Sequence, residues 1–93
     1  METLSVKCVH LSELLKGIDN KFVKSIHDTV RGKKFFTEDA YLVVITLDQM
    51  IDVIKETNED TSNEYNSEAV KIIDEIENID KSTFVCFDYI PKR

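Results

Sequence analysis

Hydrophobic residues recur at helical spacing over two stretches of the chain, one from Leu11 to about Arg31 and one that follows Asn66. The apolar positions in these stretches are Leu11, Leu14, Leu15, Ile18, Phe22, Ile26, Val30, and then Ala69, Ile72, Ile73 and Ile76. Intervals of three and four residues predict amphipathic helices. Gly17 and the pair Asp19–Asn20 predict a break near Asp19 within the first helix.

Both ends of the sequence predict β-strands. Leu4, Val6 and Cys8 alternate with polar residues, which predicts a half-buried strand over Glu2–His10 with these three side chains inside. Ser82–Ile90 is rich in aromatic and β-branched residues on both alternating faces, as strands that are buried on both sides are. We therefore expect this second strand to be covered twice or to face a partner.

Thr37–Glu56 is the longest apolar stretch, and it allows two interpretations. As one long helix it begins at the N-cap Thr37, and residues such as Val44, Leu47 and Ile51 share its buried face. The acidic residues after Thr37 favour this helix.

The alternative interpretation is a buried strand at 41–46, because these residues are rich in β-branched side chains. Thr46 is then the N-cap of a shorter helix, and Gln49 completes a capping box. The following polar segment, Thr57–Asn66, is predicted to be a surface loop.

The predicted fold is a small α+β domain that comprises residues 1–93. Its order is β-α-α-α-β, with paired terminal strands packed on the helices, or β-α-β-α-α-β if a third strand forms at 41–46. The length allows one domain, and only two glycines and one proline argue against a sandwich or barrel.

Charge is distributed unevenly along the chain. The net charge is −6, but residues 1–36 carry +3 and residues 37–93 carry −9. A molecule with opposite charges in its two parts suits binding to another protein or self-association. The predicted partner-binding residues are the C-terminal acids and two aromatic residues of the last strand, namely Glu59, Asp60, Glu64, Asp74, Glu75, Glu77, Phe87 and Tyr89. A homodimer through that strand is a further expectation.

A nucleic-acid interface is an alternative use of the basic part of the chain. Its candidate residues cluster between positions 21 and 34, and they are Lys21, Lys24, Arg31, Lys33 and Lys34. Such a patch can contact phosphates. The overall negative charge makes nucleic acid the less favoured partner.

Cys8, His10, Cys86 and Asp88 form the one constellation that could bind a metal, because each pair is spaced for one face of a strand. In intracellular proteins, reduced cysteines on strands more often pack as small hydrophobic residues than bind a metal, so we expect no metal. No nucleophile elbow or glycine-rich phosphate loop occurs, and we expect neither catalysis nor a cofactor. No signal peptide or membrane span is apparent, which predicts a cytoplasmic protein with reduced thiols.

The segments METLSV, LSELL and LVVITLDQM resemble the N-terminal pattern of antitoxins of the Phd/YefM type. The resemblance implies a strand, a helix that begins near LSELL, and a strand that runs into a helix, together forming a dimeric DNA-binding domain. It also implies an acidic C-terminal part that binds a toxin. The long insert from Asp19 to Asp39 and the C-terminal strand depart from this pattern.

These observations predict a small non-enzymatic protein that binds another protein and modulates or inhibits it, as accessory proteins of phages and mobile elements do. The antitoxin-like repressor is the alternative.

Overall fold

A computed structural model describes residues 7–33 and 42–88 of the chain. Within them the chain forms three strands and four helices. In order they are β1 (Cys8–His10), α1 (Leu11–Leu14), α2 (Asn20–Lys33), β2 (Leu42–Thr46), α3 (Leu47–Asp60), α4 (Asn66–Glu77) and β3 (Phe84–Asp88). The predicted α+β class is confirmed. The order β-α-α-β-α-α-β is that of the alternative arrangement, with a strand within 41–46, except that its first helix is divided in two.

The three strands form one mixed sheet, and β3 is its central strand. β1 runs parallel to β3 and places Val9 opposite Val85. β2 runs antiparallel to β3 along its other edge and pairs Ile45 with Val85. The predicted pairing of the terminal strands is confirmed. Because two strands alone are marginal in water, the third strand is needed for a stable sheet.

The interpretation of Thr37–Glu56 as one helix is wrong. Leu42–Thr46 is strand β2 and α3 begins at Leu47, while residues 37–41 lie outside the described part of the chain. All five residues of β2 pair with β3. The β-branched side chains at 43–46 suit this pleated surface, and tertiary pairing overrides the helical spacing of the apolar residues.

Thr46 ends β2 and begins α3 through a capping box. Its Oγ1 accepts the Gln49 N–H at 3.1 Å, and its own N–H donates to Gln49 Oε1 at 2.8 Å. These bonds satisfy amide groups that a helix start leaves unpaired.

We expect Thr46→Val to lower the free energy of unfolding by about 1 kcal/mol, because valine keeps the strand preference and loses the capping oxygen. Thr46→Ser keeps that oxygen and is the matched control. Urea unfolding followed by circular dichroism measures both variants. Equal stability of Thr46→Val and the wild type would show that the cap contributes nothing.

The first predicted helix is divided in two, as the residues near Asp19 predict. α1 ends at Leu14, Gly17 adopts a φ of +78°, and α2 begins at Asn20. Glycine reaches this left-handed conformation without the strain that a Cβ would cause. Asp19 Oδ1 then accepts the N–H of Lys21 at 2.8 Å and caps α2.

The prediction of a surface loop over 57–66 is wrong at its start, because α3 continues through Asp60. Thr57 is fully buried. Its Oγ1 lies 2.7 Å from Thr29 Oγ1 on α2 and 2.7 Å from the carbonyl oxygen of Val53. The hydroxyl therefore joins α2 to α3 and has its hydrogen bonds inside the protein, as buried polar groups require.

Residues 61–65 form the turn between α3 and α4, and Ser62 and Asn63 have positive φ angles of 57° and 59°. Asn58, which is 8% exposed, donates from Nδ2 to Asn66 Oδ1 at 2.8 Å and to Asn63 Oδ1 at 3.3 Å. The polar residues of this segment thus serve a hydrogen-bonded turn, and α3 and α4 form a helical hairpin.

One face of the sheet packs against the helices and forms the core. Val43, Ile45, Val85 and Phe87 point to this side and are each at most 3% exposed. The helices contribute fully buried side chains to the same cluster, among them Phe22, Ile26, Met50, Val53, Ile54 and Ile72.

The predicted inward face of the first strand is wrong at Cys8, which is exposed. The register with β3 places Val9 beside Val85, so Val9 packs against the core and Cys8 lies opposite Phe84 on the other face. Successive residues of a strand point to opposite faces, so the register decides which side chains of β1 face the core and which face away from it. Leu4 and Val6 lie outside the described residues.

Candidate interaction surfaces

The predicted acidic residues are all exposed, but they lie at both ends of the hairpin. Near the turn are Glu59, Asp60 and Glu64, and on the last turn of α4 are Asp74, Glu75 and Glu77. The twelve residues of α4 span about 18 Å. The structure therefore separates the six acids into two groups, which we call the turn acids and the α4 acids.

Glu59 and Asp60 of the turn acids, and the α4 acids, lie at the electrostatically unfavourable C-terminal end of a helix, whereas Glu64 lies in the turn before α4. α3 ends with Glu59 and Asp60, α4 ends with Glu75 and Glu77, and neither last turn contains a basic residue. The C-terminal end of a helix carries partial negative charge, so each carboxylate there costs roughly 0.3–1 kcal/mol when it is not compensated. A cation from outside the chain would relieve this repulsion.

The two aromatic residues predicted to bind a partner do not form such a surface. Phe87 is 3% exposed and packs in the core, so that prediction is wrong for Phe87. The alternation of β3 directs it inward together with Val85. Tyr89 lies outside the described residues.

The other face of the sheet carries partly exposed apolar side chains. Phe84 and Cys86 of β3 are half-buried there, and Val44 of β2 is 46% exposed. β3 has a neighbour on each side, so its edge is already used within the chain. A homodimer through this strand would therefore use the face of the sheet.

The structure divides the predicted nucleic-acid residues. Lys21, Lys24 and Arg31 are exposed on α2, with Asp28 exposed on the same helix. Lys33 forms an ion pair with Glu56 of α3, with 2.8 Å between Nζ and Oε2. The bond to Glu56 raises the pKa of Lys33 above its ordinary value. Lys34 lies outside the described residues, so the patch in the structure comprises three basic side chains and one carboxylate.

Of the four candidate metal ligands on the terminal strands, the structure places only His10 and Cys86 opposite each other. His10 lies opposite Cys86 in the parallel pairing, whereas Cys8 lies opposite Phe84. His10 Nδ1 accepts the N–H of Ser12 at 3.2 Å and caps α1. Within residues 7–33 and 42–88, no three His, Cys, Asp or Glu side chains lie close enough together to hold a metal ion. The side chain of Asp88 is outside the described set.

His27 lies with His10 at a cleft whose other walls are mainly apolar side chains such as Leu15, Ile18 and Val23. Burial is the main cause that lowers the pKa of His27 below its ordinary value. The positive charge of Arg31 lowers this pKa further, whereas the negative charge of Asp28 raises it. The folded protein thus favours the neutral imidazole.

The sequence does not reveal an apolar notch where α3 begins and α4 ends. Leu47 and Ile76 form its floor and are 8% and 1% exposed, while Ile51 and Ile79 are half-buried walls. Asp48, Glu77 and Lys81 lie at its rim. Helical spacing predicted Ile51 and Ile76 as buried positions, but it does not show that the start of α3, the end of α4 and the segment after α4 leave a pocket between them.

Among the helices of the described residues, none is long and apolar enough to cross a membrane. No known protein family, curated protein or solved structure matches the chain.

Proposed function

We propose that the protein is a small non-enzymatic module that binds another protein through the outer surface of the α3–α4 hairpin and thereby modulates or inhibits it. A role as a cytoplasmic accessory protein of a phage or mobile element fits this size and charge. The observation that carries the proposal is the placement of carboxylates at the negative ends of both helices, with no basic residue in either last turn.

Residues that break a local rule of stability are often kept for function. The acids of α4 destabilise the free helix, but they complement a partner that brings lysine or arginine to this end. Opposite charges across an interface accelerate association and fix its orientation. We therefore expect the partner to present a basic surface to the hairpin.

The partner can be identified by capture from native lysate on the immobilised protein, followed by mass spectrometry. With the purified partner, we expect Asp74→Lys combined with Glu75→Lys to weaken binding at least about tenfold, because like charges then face each other. Titration calorimetry measures the affinity.

The matched control is Glu13→Lys combined with Asp28→Lys, which makes the same change in net charge at exposed positions of α1 and α2. This variant should bind as the wild type does. Equal weakening by both variants would indicate a dependence on net charge only, and unchanged binding by the α4 variant would refute the role of the hairpin.

The second candidate function is an antitoxin-like DNA-binding repressor. A specific observation favours it, since α1 begins at Leu11 of LSELL and β2 runs directly into α3, as the resemblance implies, although α2 is inserted between α1 and β2. The exposed Lys21, Lys24 and Arg31 would contact phosphates. If this candidate is right, the protein binds DNA of its own promoter, and its affinity falls steeply as the salt concentration rises. Lys21→Glu should bind the same DNA more weakly than the wild type at equal salt concentration.

A further inference from the structure

The notch between α3 and α4 combines an apolar interior with an acidic rim. Its floor and walls are isoleucine and leucine side chains, and it is open to solvent with a volume of about 530 Å³. This is within the range of about 300–1,000 Å³ that is typical of binding pockets. Ile51 and Ile79 are only partly buried at its walls, so some apolar surface is available to an occupant.

The charges around the notch identify the kind of occupant. Asp48 and Glu77 at the rim outnumber the single Lys81. Glu77 also belongs to the α4 acids, so the notch is continuous with the acidic end of that helix. Asp48 lies in the favourable first turn of α3, whereas Glu77 lies at the unfavourable end of α4, whose last turn contains no basic residue.

We propose that the notch receives a bulky apolar side chain of a partner segment that also carries lysine or arginine beside it. The inference rests on the proposed function and adds the anchor of the same interface. The apolar side chain covers Ile51 and Ile79, while the neighbouring cations pair with Glu77 and Asp48. Binding sites between proteins commonly depend on one such anchor in a pocket, surrounded by a polar rim.

A defined peptide tests the proposal on the full chain with labelled isoleucine methyl groups. The probe is a short peptide in which lysine and arginine residues flank one phenylalanine. We expect the methyl signals of Ile51, Ile76 and Ile79 to shift during its titration, while Ile26, buried in α2, stays unchanged. A peptide with alanine in place of the phenylalanine should bind about tenfold more weakly, and one with glutamate in place of the cations should not bind.

Ile79→Ala should reduce affinity for the phenylalanine peptide about tenfold, to the level of the alanine peptide. Val70→Ala is the control, because Val70 is 55% exposed on α4 and does not line the notch. Circular dichroism confirms that both variants are folded. Equal binding of the phenylalanine and alanine peptides, or shifts confined to other residues, would overturn the proposal.

Dilution of the protein without peptide tests whether a second copy of the chain occupies the notch. If the same methyl signals move with protein concentration, a second copy of the chain fills the notch and the proposal is wrong. The test is separate from that of the proposed function. Loss of partner binding in the α4 charge-reversal variant, together with an empty notch, would keep the function and reject only the anchor.

Discussion

Ile45→Asp is expected to unfold the domain, whereas Val44→Asp, one position earlier, is expected to leave it folded. Ile45 is 2% exposed on the core face of β2, opposite Val85. A carboxylate there would be buried without a partner, and such substitutions cost more than about 4 kcal/mol. Domains have total stabilities of about 5–15 kcal/mol, and a 93-residue chain lies towards the lower end.

Val44 points to the other face of the sheet and is 46% exposed, so an aspartate there stays hydrated. We expect it to cost at most about 1 kcal/mol, which reflects the low strand preference of aspartate. Far-ultraviolet circular dichroism and urea unfolding measure both variants. The opposite ranking would support the helix over 37–56, since that helix buries Val44. Unfolding of both variants would show that the second face of the sheet is covered.

Phe22→Ala is expected to lower the free energy of unfolding by about 3–5 kcal/mol. Phe22 is fully buried on α2, and its ring stacks on Tyr65 with 5.1 Å between ring centroids. Removal of the ring leaves a cavity beneath the turn between α3 and α4. Because 1 kcal/mol corresponds to about 4–8 °C in a domain of this size, the melting temperature should fall by at least about 12 °C.

Phe84→Ala is the matched control for this prediction. Phe84 is half-buried on the outer face of β3, so the same truncation should cost only about 1 kcal/mol. Thermal unfolding followed by circular dichroism compares the two variants. Equal losses would contradict the assignment of Phe22 to the centre of the core and of Phe84 to the open face.

Local chemistry carries the parts of the fold that the sequence predicts well. The helical spacing of Phe22, Ile26 and Val30 predicts α2, and all three side chains are buried in the core. The break before α2 follows from Gly17 and Asp19, which have conformational and capping preferences of their own. The capping box of Thr46 and Gln49 was likewise visible in the sequence, but only as the alternative.

The wrong predictions concern properties that depend on distant contacts. Whether residues 42–46 become helix or strand is decided by β3, almost forty residues later in the chain. The outward position of Cys8 depends on the pairing of Val9 with Val85. Thr57 and Asn58 are polar and suggest a loop, yet their hydrogen-bond partners bury them.

The candidate surfaces show the same division. The exposure of the α4 acids follows from helical spacing, and so could be predicted. The burial of Phe87 could not be predicted, because both faces of its strand are apolar and only the packing chooses between them. The notch at Ile51 and Ile79 could not be predicted, because its lining residues come from segments that are distant in the sequence and meet only in the folded chain.

Carboxylate footprinting of the complex with the captured partner tests the central claim most directly. Carbodiimide and glycine ethyl ester modify exposed Asp and Glu side chains, and mass spectrometry locates the modified residues. Binding through the hairpin predicts that Asp74, Glu75 and Glu77 lose reactivity in the complex, while Glu13 and Asp28 keep theirs. Unchanged reactivity of the three α4 acids in a saturated complex would contradict the claim.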